Sequence, residues 1–157
     1  MSLERAKAHL HRWNREGDIK EYDHSSATVQ LAAEALGTEP CRIAKTLSFL
    51  NAERTILLVA AGDARVESSR FKKTFGVKKV KMVPAEEVEQ RTGHAVGGVC
   101  PFGVPSDADV YLDESLRRFS TVFPACGSAN SSIELTPDEL EEYSGAKGWV
   151  DVCGGWK

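Results

Sequence analysis

A chain of 157 residues, 41% hydrophobic and 27% charged, suits one globular domain with a sizeable core and excludes disordered and fibrous classes. A formal net charge of −3 argues against coating nucleic acid through bulk charge, and no apolar run reaches the roughly 18 residues of a membrane span. The opening Met-Ser-Leu-Glu-Arg-Ala-Lys has no apolar signal core, which predicts a cytoplasmic protein.

In chain order, Leu3, Ala6, Leu10 and Trp13 recur at helical spacing, and Gly17 is expected to close that helix. Ile19 to Tyr22 reads as a short strand. Ser25 or Ser26 is the expected cap of a second helix with Val29, Ala32, Ala33 and Leu36 on its inner face, ended by Gly37. Ile43, Lys45, Leu47 and Phe49 share one face of a strand. Thr55 to Ala61 holds the run Ile-Leu-Leu-Val-Ala-Ala, a strand buried on both faces.

A third helix is predicted from Glu67 to Phe75, stopping at Gly76, then a strand from Val80 to Val83. Pro84 is placed at the first position of a helix that Gly93 ends. His94 to Pro105 is rich in glycine and proline and has no period. Strands follow at Val110–Leu112 and Phe119–Ala125. Ile133 to Leu135 lead into Thr136-Pro137-Asp138-Glu139, a capping box, and Trp149 to Cys153 is the last strand. Helices and strands without regular alternation predict a single α+β domain over residues 1–157. Its core is one mixed, strongly twisted, barrel-like sheet with helices around it.

Three segments carry candidate chemistry. Lys45 takes a slot on an apolar strand face, so it either snorkels to an edge or projects a cation into a pocket. Gly93-His-Ala-Val-Gly97-Gly98-Val-Cys-Pro101-Phe-Gly103 lets bare backbone N–H groups approach a ligand, or simply joins two strands; it is neither a dinucleotide fingerprint nor a P-loop. Gly127-Ser128-Ala-Asn130-Ser-Ser132 offers hydroxyls and an amide to a pocket, or an ordinary turn. Arg70, Lys72, Lys73, Lys78, Lys79 and Lys81 form a local basic face that suits a partner with a few phosphates, or a solvated surface. The four cysteines, Cys41, Cys100, Cys126 and Cys153, have no metal spacing, so no disulfide framework or zinc site is expected, and with neither a ligand cluster nor a nucleotide motif no metal or organic cofactor is implied.

Taken together, Ala32-Ala33-x-x-Leu36-Gly37, Arg42-Ile43-Ala44-Lys45-Thr46-Leu47, Gly62-Asp63, Gly97-Gly98-x-x-Pro101-Phe102-Gly103 and Gly127-x-x-Asn130 before Ile133-Glu134-Leu135 resemble the YbaK/ProX family of aminoacyl-tRNA deacylases. That family is related to the editing insertion of bacterial prolyl-tRNA synthetase. The resemblance spans about Tyr22 to Leu140. It implies hydrolysis of the ester joining a wrong amino acid to the 3′ adenosine of tRNA, as a free-standing editing factor. On the family pattern, Lys45 holds the terminal nucleotide or the substrate end. The Gly97, Gly98 and Pro101 loop supplies N–H groups to the ester carbonyl. Beside that pattern, Pro101, Phe102, Gly127, Ser128 and Asn130 are expected to line the substrate, and the basic face of Arg70, Lys72, Lys73, Lys78 and Lys79 to meet phosphates of the tRNA that the resemblance supplies as partner. Where cysteinyl-specific members carry an acid before Ile-Glu-Leu, this chain has Ser131 or Ser132, which favours a small amino acid such as alanine or serine. An aminoacyl-tRNA synthetase is a further candidate partner. Two other readings remain open: a non-catalytic module that binds aminoacyl-tRNA, and a cysteine hydrolase using Cys100 with His94.

Overall fold

The computed structural model describes residues 2–23 and 28–156. Among them the elements run α1 (Ser2–Leu10), β1 (Lys20–Glu21), α2 (Val29–Leu36), β2 (Ile43–Asn51), β3 (Arg54–Ala61), β4 (Arg65–Val66), α3 (Ser68–Phe75), α4 (Ala85–Thr92), β5 (Ala108–Asp113), β6 (Phe123–Pro124), β7 (Ser131–Ser132), α5 (Pro137–Ser144), β8 (Gly148–Val150) and β9 (Cys153–Gly154).

A five-stranded sheet in the order β6-β2-β3-β5-β8 forms the centre. The β2–β3 hairpin is antiparallel, from Ala44 opposite Ala61 to Asn51 opposite Arg54, and the other three pairings are parallel. Leu57 through Ala61 are fully buried, as expected of a middle strand covered on both faces. Past β6 the ladder turns: Val122 and Ala125 bridge to Leu135 and Ser132, and β7 pairs with β1. The result is the curled half-barrel of an α+β domain.

The helices cover this sheet through their apolar faces. Ala32 and Ala33 of α2 pack on Ile43 and Phe123, making a small second cluster beside the main core. Phe71 of α3 contacts Phe49 and Phe75, with ring centroids 4.7 and 4.6 Å apart. Thr136 and Glu139 form the capping box of α5 with both bonds present. Arg5 of α1 donates to Gly103 O at 2.7 and 3.0 Å, pinning the end of the glycine-rich segment.

Local chemistry shifts several element ends. Gly17 does not close the first helix; it sits inside a 3₁₀ turn, and the helical path ends at Asn14, which adopts φ +57°. Asparagine tolerates that left-handed conformation better than most residues. Ser25 and Ser26 lie outside the described residues, and Thr28 caps α2 by accepting from Leu31 N. Pro84 is the cap of α4 rather than its first residue. The strand expected over Val80–Val83 is a single bridge from Met82 to Phe49. The strand over Phe119–Ala125 contracts to β6, and Val122 and Ala125 beside it pair only as single bridges to Leu135 and Ser132. Trp149–Cys153 divides into β8 and β9, since Asp151 and Val152 leave one sheet to join another.

Candidate active site

The outer edge of β2 faces a cavity of about 470 Å³, a size suited to a small-molecule fragment. Residues 43–48 of β2 form its floor. Thr28, Val29 and Ala32 close one side, and Met82, Val83, Ala85 and Val88 another. Val96, Gly97 and Val99 cover it, and Phe123, Ala125, Ser131 and Ser132 complete the wall. Met82 and Val96 are large apolar residues left exposed, both on this rim.

Lys45 lines this cavity, and its ammonium is anchored at the turn after β3. Nζ donates to Gly62 O at 3.3 Å and to Ala64 O at 2.5 Å, leaving one of three N–H donors for a ligand. Both acceptors lie in the turn after β3. That turn is fastened where Ala61 N donates to Ser115 Oγ at 3.1 Å, and where Asp63 pairs with Arg118 at 2.6 Å. Gly62 is required there because a Cβ would lie 2.0 Å from Pro40 O. Burial lowers the Lys45 pKa from its ordinary value, with Asp63 opposing and Arg65 reinforcing the shift. The site thus holds a cation that is partly stripped of water, where its field acts more strongly on a bound ester or phosphate.

The glycine loop divides into two functions. Gly97 lines the cavity at φ +92°, a conformation that suits glycine, and its N–H is unpaired among the described residues. The Gly98 N–H is already used: it donates to Ala95 O at 2.9 Å. A Cβ on Gly98 would lie 2.8 Å from Gly127 C and O, so this glycine is needed for two loops to touch. Gly98, Pro101 and Phe102 stand behind the cavity, with Phe102 fully buried against the His9 ring.

Gly127, Ser128 and Asn130 likewise support the wall without forming it. Ser128 Oγ bonds Asn130 Oδ1 at 3.0 Å and Ser131 Oγ at 2.5 Å. Asn130 Nδ2 donates to Tyr22 O at 2.9 Å, and Tyr22 N to Asn130 O at 2.8 Å. These bonds hold Ser131 and Ser132 at the cavity, with the Tyr22 hydroxyl 2.6 Å from Ser132 Oγ.

Of the basic cluster, Arg70 is engaged internally with Asp151, Glu67 and the Cys153 carbonyl. Lys72, Lys73, Lys78 and Lys79 are exposed, and none forms an ion pair among the described residues. The chain from Lys78 runs directly to Met82 at the rim. Cys100 and His94 do come together, Sγ lying 3.4 Å from Nε2, but both are fully buried outside the cavity lining. His94 Nε2 is 2.6 Å from Phe102 O, and burial pushes the Cys100 thiol up to about 12. A thiol so rarely ionised is no nucleophile, so the cysteine-hydrolase reading fails.

The cavity also includes residues that pattern alone passes over. Thr46 reads as a filler between Lys45 and Leu47, yet its Oγ1 is buried without a partner. Met82 falls inside the strand expected over Val80–Val83 and Val96 inside the glycine loop, neither with a role of its own, and the pairing of 81–83 with β2 brings Met82 to the rim.

A family model described as "Aminoacyl-tRNA editing domain" matches residues 23–143. The chain is 54% identical over its whole length, and the whole of the relative's, to the "Uncharacterized protein YwhH" of Bacillus subtilis. It is 33% identical over 119 residues to the "Putative Cys-tRNA(Pro)/Cys-tRNA(Cys) deacylase EbsC" of Enterococcus faecalis, spanning 75% of this chain and 71% of that one. Among solved structures, the "Crystal structure of a putative trans-editing enzyme for prolyl tRNA synthetase" is 30% identical, with a TM-score of 0.87 and 98% of both chains covered.

Proposed function

The chain belongs to the aminoacyl-tRNA editing domain family, and on that premise we propose that it hydrolyses the ester of tRNA carrying a wrong, small amino acid, alanine or serine, as a free-standing factor. The observation that carries this reading is the cavity itself, which Lys45, with its anchored ammonium, and Gly97, with its unpaired N–H, both line. In the reaction, the oxygen of a water adds to the ester carbonyl carbon, and the bond to the 3′ oxygen breaks. That oxygen leaves with a proton from the water as a hydroxyl. An ester is activated already, so a protein can accelerate this step by orientation and by stabilising the oxyanion, without a nucleophile of its own. Gly97 N–H serves the oxyanion. Lys45 holds the terminal nucleotide near the ester.

A small, uncharged side chain is supported by the wall, where Ala32, Ala44, Ser48, Ser131 and Ser132 contribute short side chains and no acid lines the cavity among the described residues. The name of the Enterococcus relative makes cysteine the necessary competitor. The test is a panel of alanyl-, seryl-, threonyl-, cysteinyl- and prolyl-tRNA with purified protein. Multiple turnovers on alanyl- or seryl-tRNA are expected. Preferential release of cysteine would overturn the substrate assignment. Stoichiometric protection of the ester, without release, would replace the enzyme by an aminoacyl-tRNA-binding module.

A further inference from the structure

Strand β2 has two edges. One is paired with β3 from Ala44 to Asn51. The other is shared. At its start β6 pairs with Ile43 and Ala44. Near its end the 81–83 segment pairs through Leu50 N to Lys81 O at 2.8 Å and Val83 N to Ser48 O at 3.0 Å. Backbone groups of alternate residues face the same edge of an extended strand, so Ser48 and Leu50 fix the direction for Thr46 as well. Thr46 lies in the gap between the two partners. Its N–H and C=O point to the cavity side, and no residue described pairs with them on that edge. Its Oγ1 is buried and also without a partner.

Thr46 thus offers an unpaired main-chain N–H and C=O at the cavity floor, beside a buried hydroxyl that itself lacks a partner, although buried polar atoms are nearly always paired. An α-amino ester supplies what that N–H and C=O lack. When extended, its amino N–H and its carbonyl oxygen leave the α-carbon on the same side, as in one residue of a strand. That donor and acceptor match the C=O and N–H of Thr46 as an antiparallel hydrogen-bonded pair. We propose that the aminoacyl group docks on the β2 edge as a one-residue strand between β6 and the 81–83 segment. Its α-amino group donates to Thr46 O, and its carbonyl oxygen accepts from Thr46 N. This deepens the deacylase reading and rests on it for the identity of the ligand. It defines the substrate class as acyl groups with a donor on the α-carbon, held by main chain, which leaves selection among side chains to the surrounding wall.

The test uses two amide-linked probes that resist hydrolysis, 3′-deoxy-3′-(L-alanylamino)adenosine and its propionyl counterpart, titrated calorimetrically into the full chain. At pH 8.5 the α-amino group, with an ordinary value of about 8, is mostly neutral, so the probes differ chiefly by a donor. The propionyl probe is expected to bind about tenfold or more weakly, since it leaves Thr46 O unpaired in the complex. Equal dissociation constants would overturn the pairing. Thr46→Val keeps the main chain and replaces a partnerless buried hydroxyl by a methyl, so it should bind the alanyl probe as the wild type does, with a thermal midpoint the same or higher. A loss of about tenfold in that variant at an unchanged midpoint would move recognition to the side chain and overturn the main-chain pairing. Turnover of the five aminoacyl-tRNAs is read in parallel: its absence on every one of them removes the deacylase reading, while the ratio of the two probes still decides the pairing.

Discussion

At the scale of single residues, Lys45 joins the two readings its sequence position allows. Its stem crosses an apolar face, and its ammonium reaches carbonyls in the turn after β3. Lys45→Met keeps the stem and removes the charge. It should fold with little loss of stability and lower kcat/KM for the preferred aminoacyl-tRNA by about a hundredfold, or about 2.7 kcal/mol of transition-state stabilisation. Because burial lowers its pKa, the cation is lost at a pH below the usual 10.5. After subtraction of spontaneous ester hydrolysis, the wild-type rate should therefore fall on the alkaline side before pH 10.5. The same limb should be missing from the residual activity of Lys45→Met.

At the scale of elements, the site depends on a contact between two short connections. The turn after β3 passes so close to the 3₁₀ turn at Pro40–Arg42 that a Cβ on Gly62 would strike Pro40 O at 2.0 Å and Val29 Cγ1 at 2.7 Å. Backbone cannot yield as a flexible side chain can. Gly62→Ala should destabilise the fold by about 1–3 kcal/mol in denaturant titrations, in the range of overpacking. Since Gly62 O also anchors Lys45, turnover should fall at temperatures where the variant remains folded. Gly145→Ala is the comparison: that glycine has open space around it, and only its φ of +66° opposes a side chain. It should cost stability with no change in turnover.

At the scale of the whole molecule, an acidic protein must hold a polyanion by local charge. Replacing Lys72, Lys73, Lys78 and Lys79 together by alanine should weaken tRNA binding and flatten its dependence on salt. Each single-strand phosphate contact contributes about 0.7 to the slope of log affinity against log salt, so two to four contacts amount to about 1.5–3. Single-turnover rates at saturating tRNA should stay near wild type. An unchanged slope would mark these lysines as a solvated face. Acid stability is a second property of the whole fold. Burial lowers the pKa of His94, so as pH falls through 6.5 the unfolded chain takes up a proton that the folded chain refuses. The stability contributed by neutral His94 is complete above pH 6.5 and is lost as pH falls below it, at up to about 1.4 kcal/mol per pH unit. His94→Gln, which retains an amide donor for Phe102 O, should show a shallower acid limb in urea melts at pH 5 to 7.

The sequence by itself determined the fold class, the central buried strand, most helix stops and the identity of Lys45 as the residue to explain. These follow from local rules: apolar periodicity, glycine in left-handed positions at Gly37, Gly76 and Gly93, and the cost of burying an ammonium. The tertiary structure decided which members of the glycine and serine loops reach the cavity. Gly97 does, while Gly98, Pro101, Phe102, Ser128 and Asn130 hold the wall from behind. Residue type shows what a loop can offer, but its N–H groups are assigned by neighbours distant in sequence, as when Gly98 packs on Gly127. Thr46 is the clearest case. Its open edge exists because β6 and the 81–83 segment, each far from β2 in the chain, stop short of each other on the same strand edge.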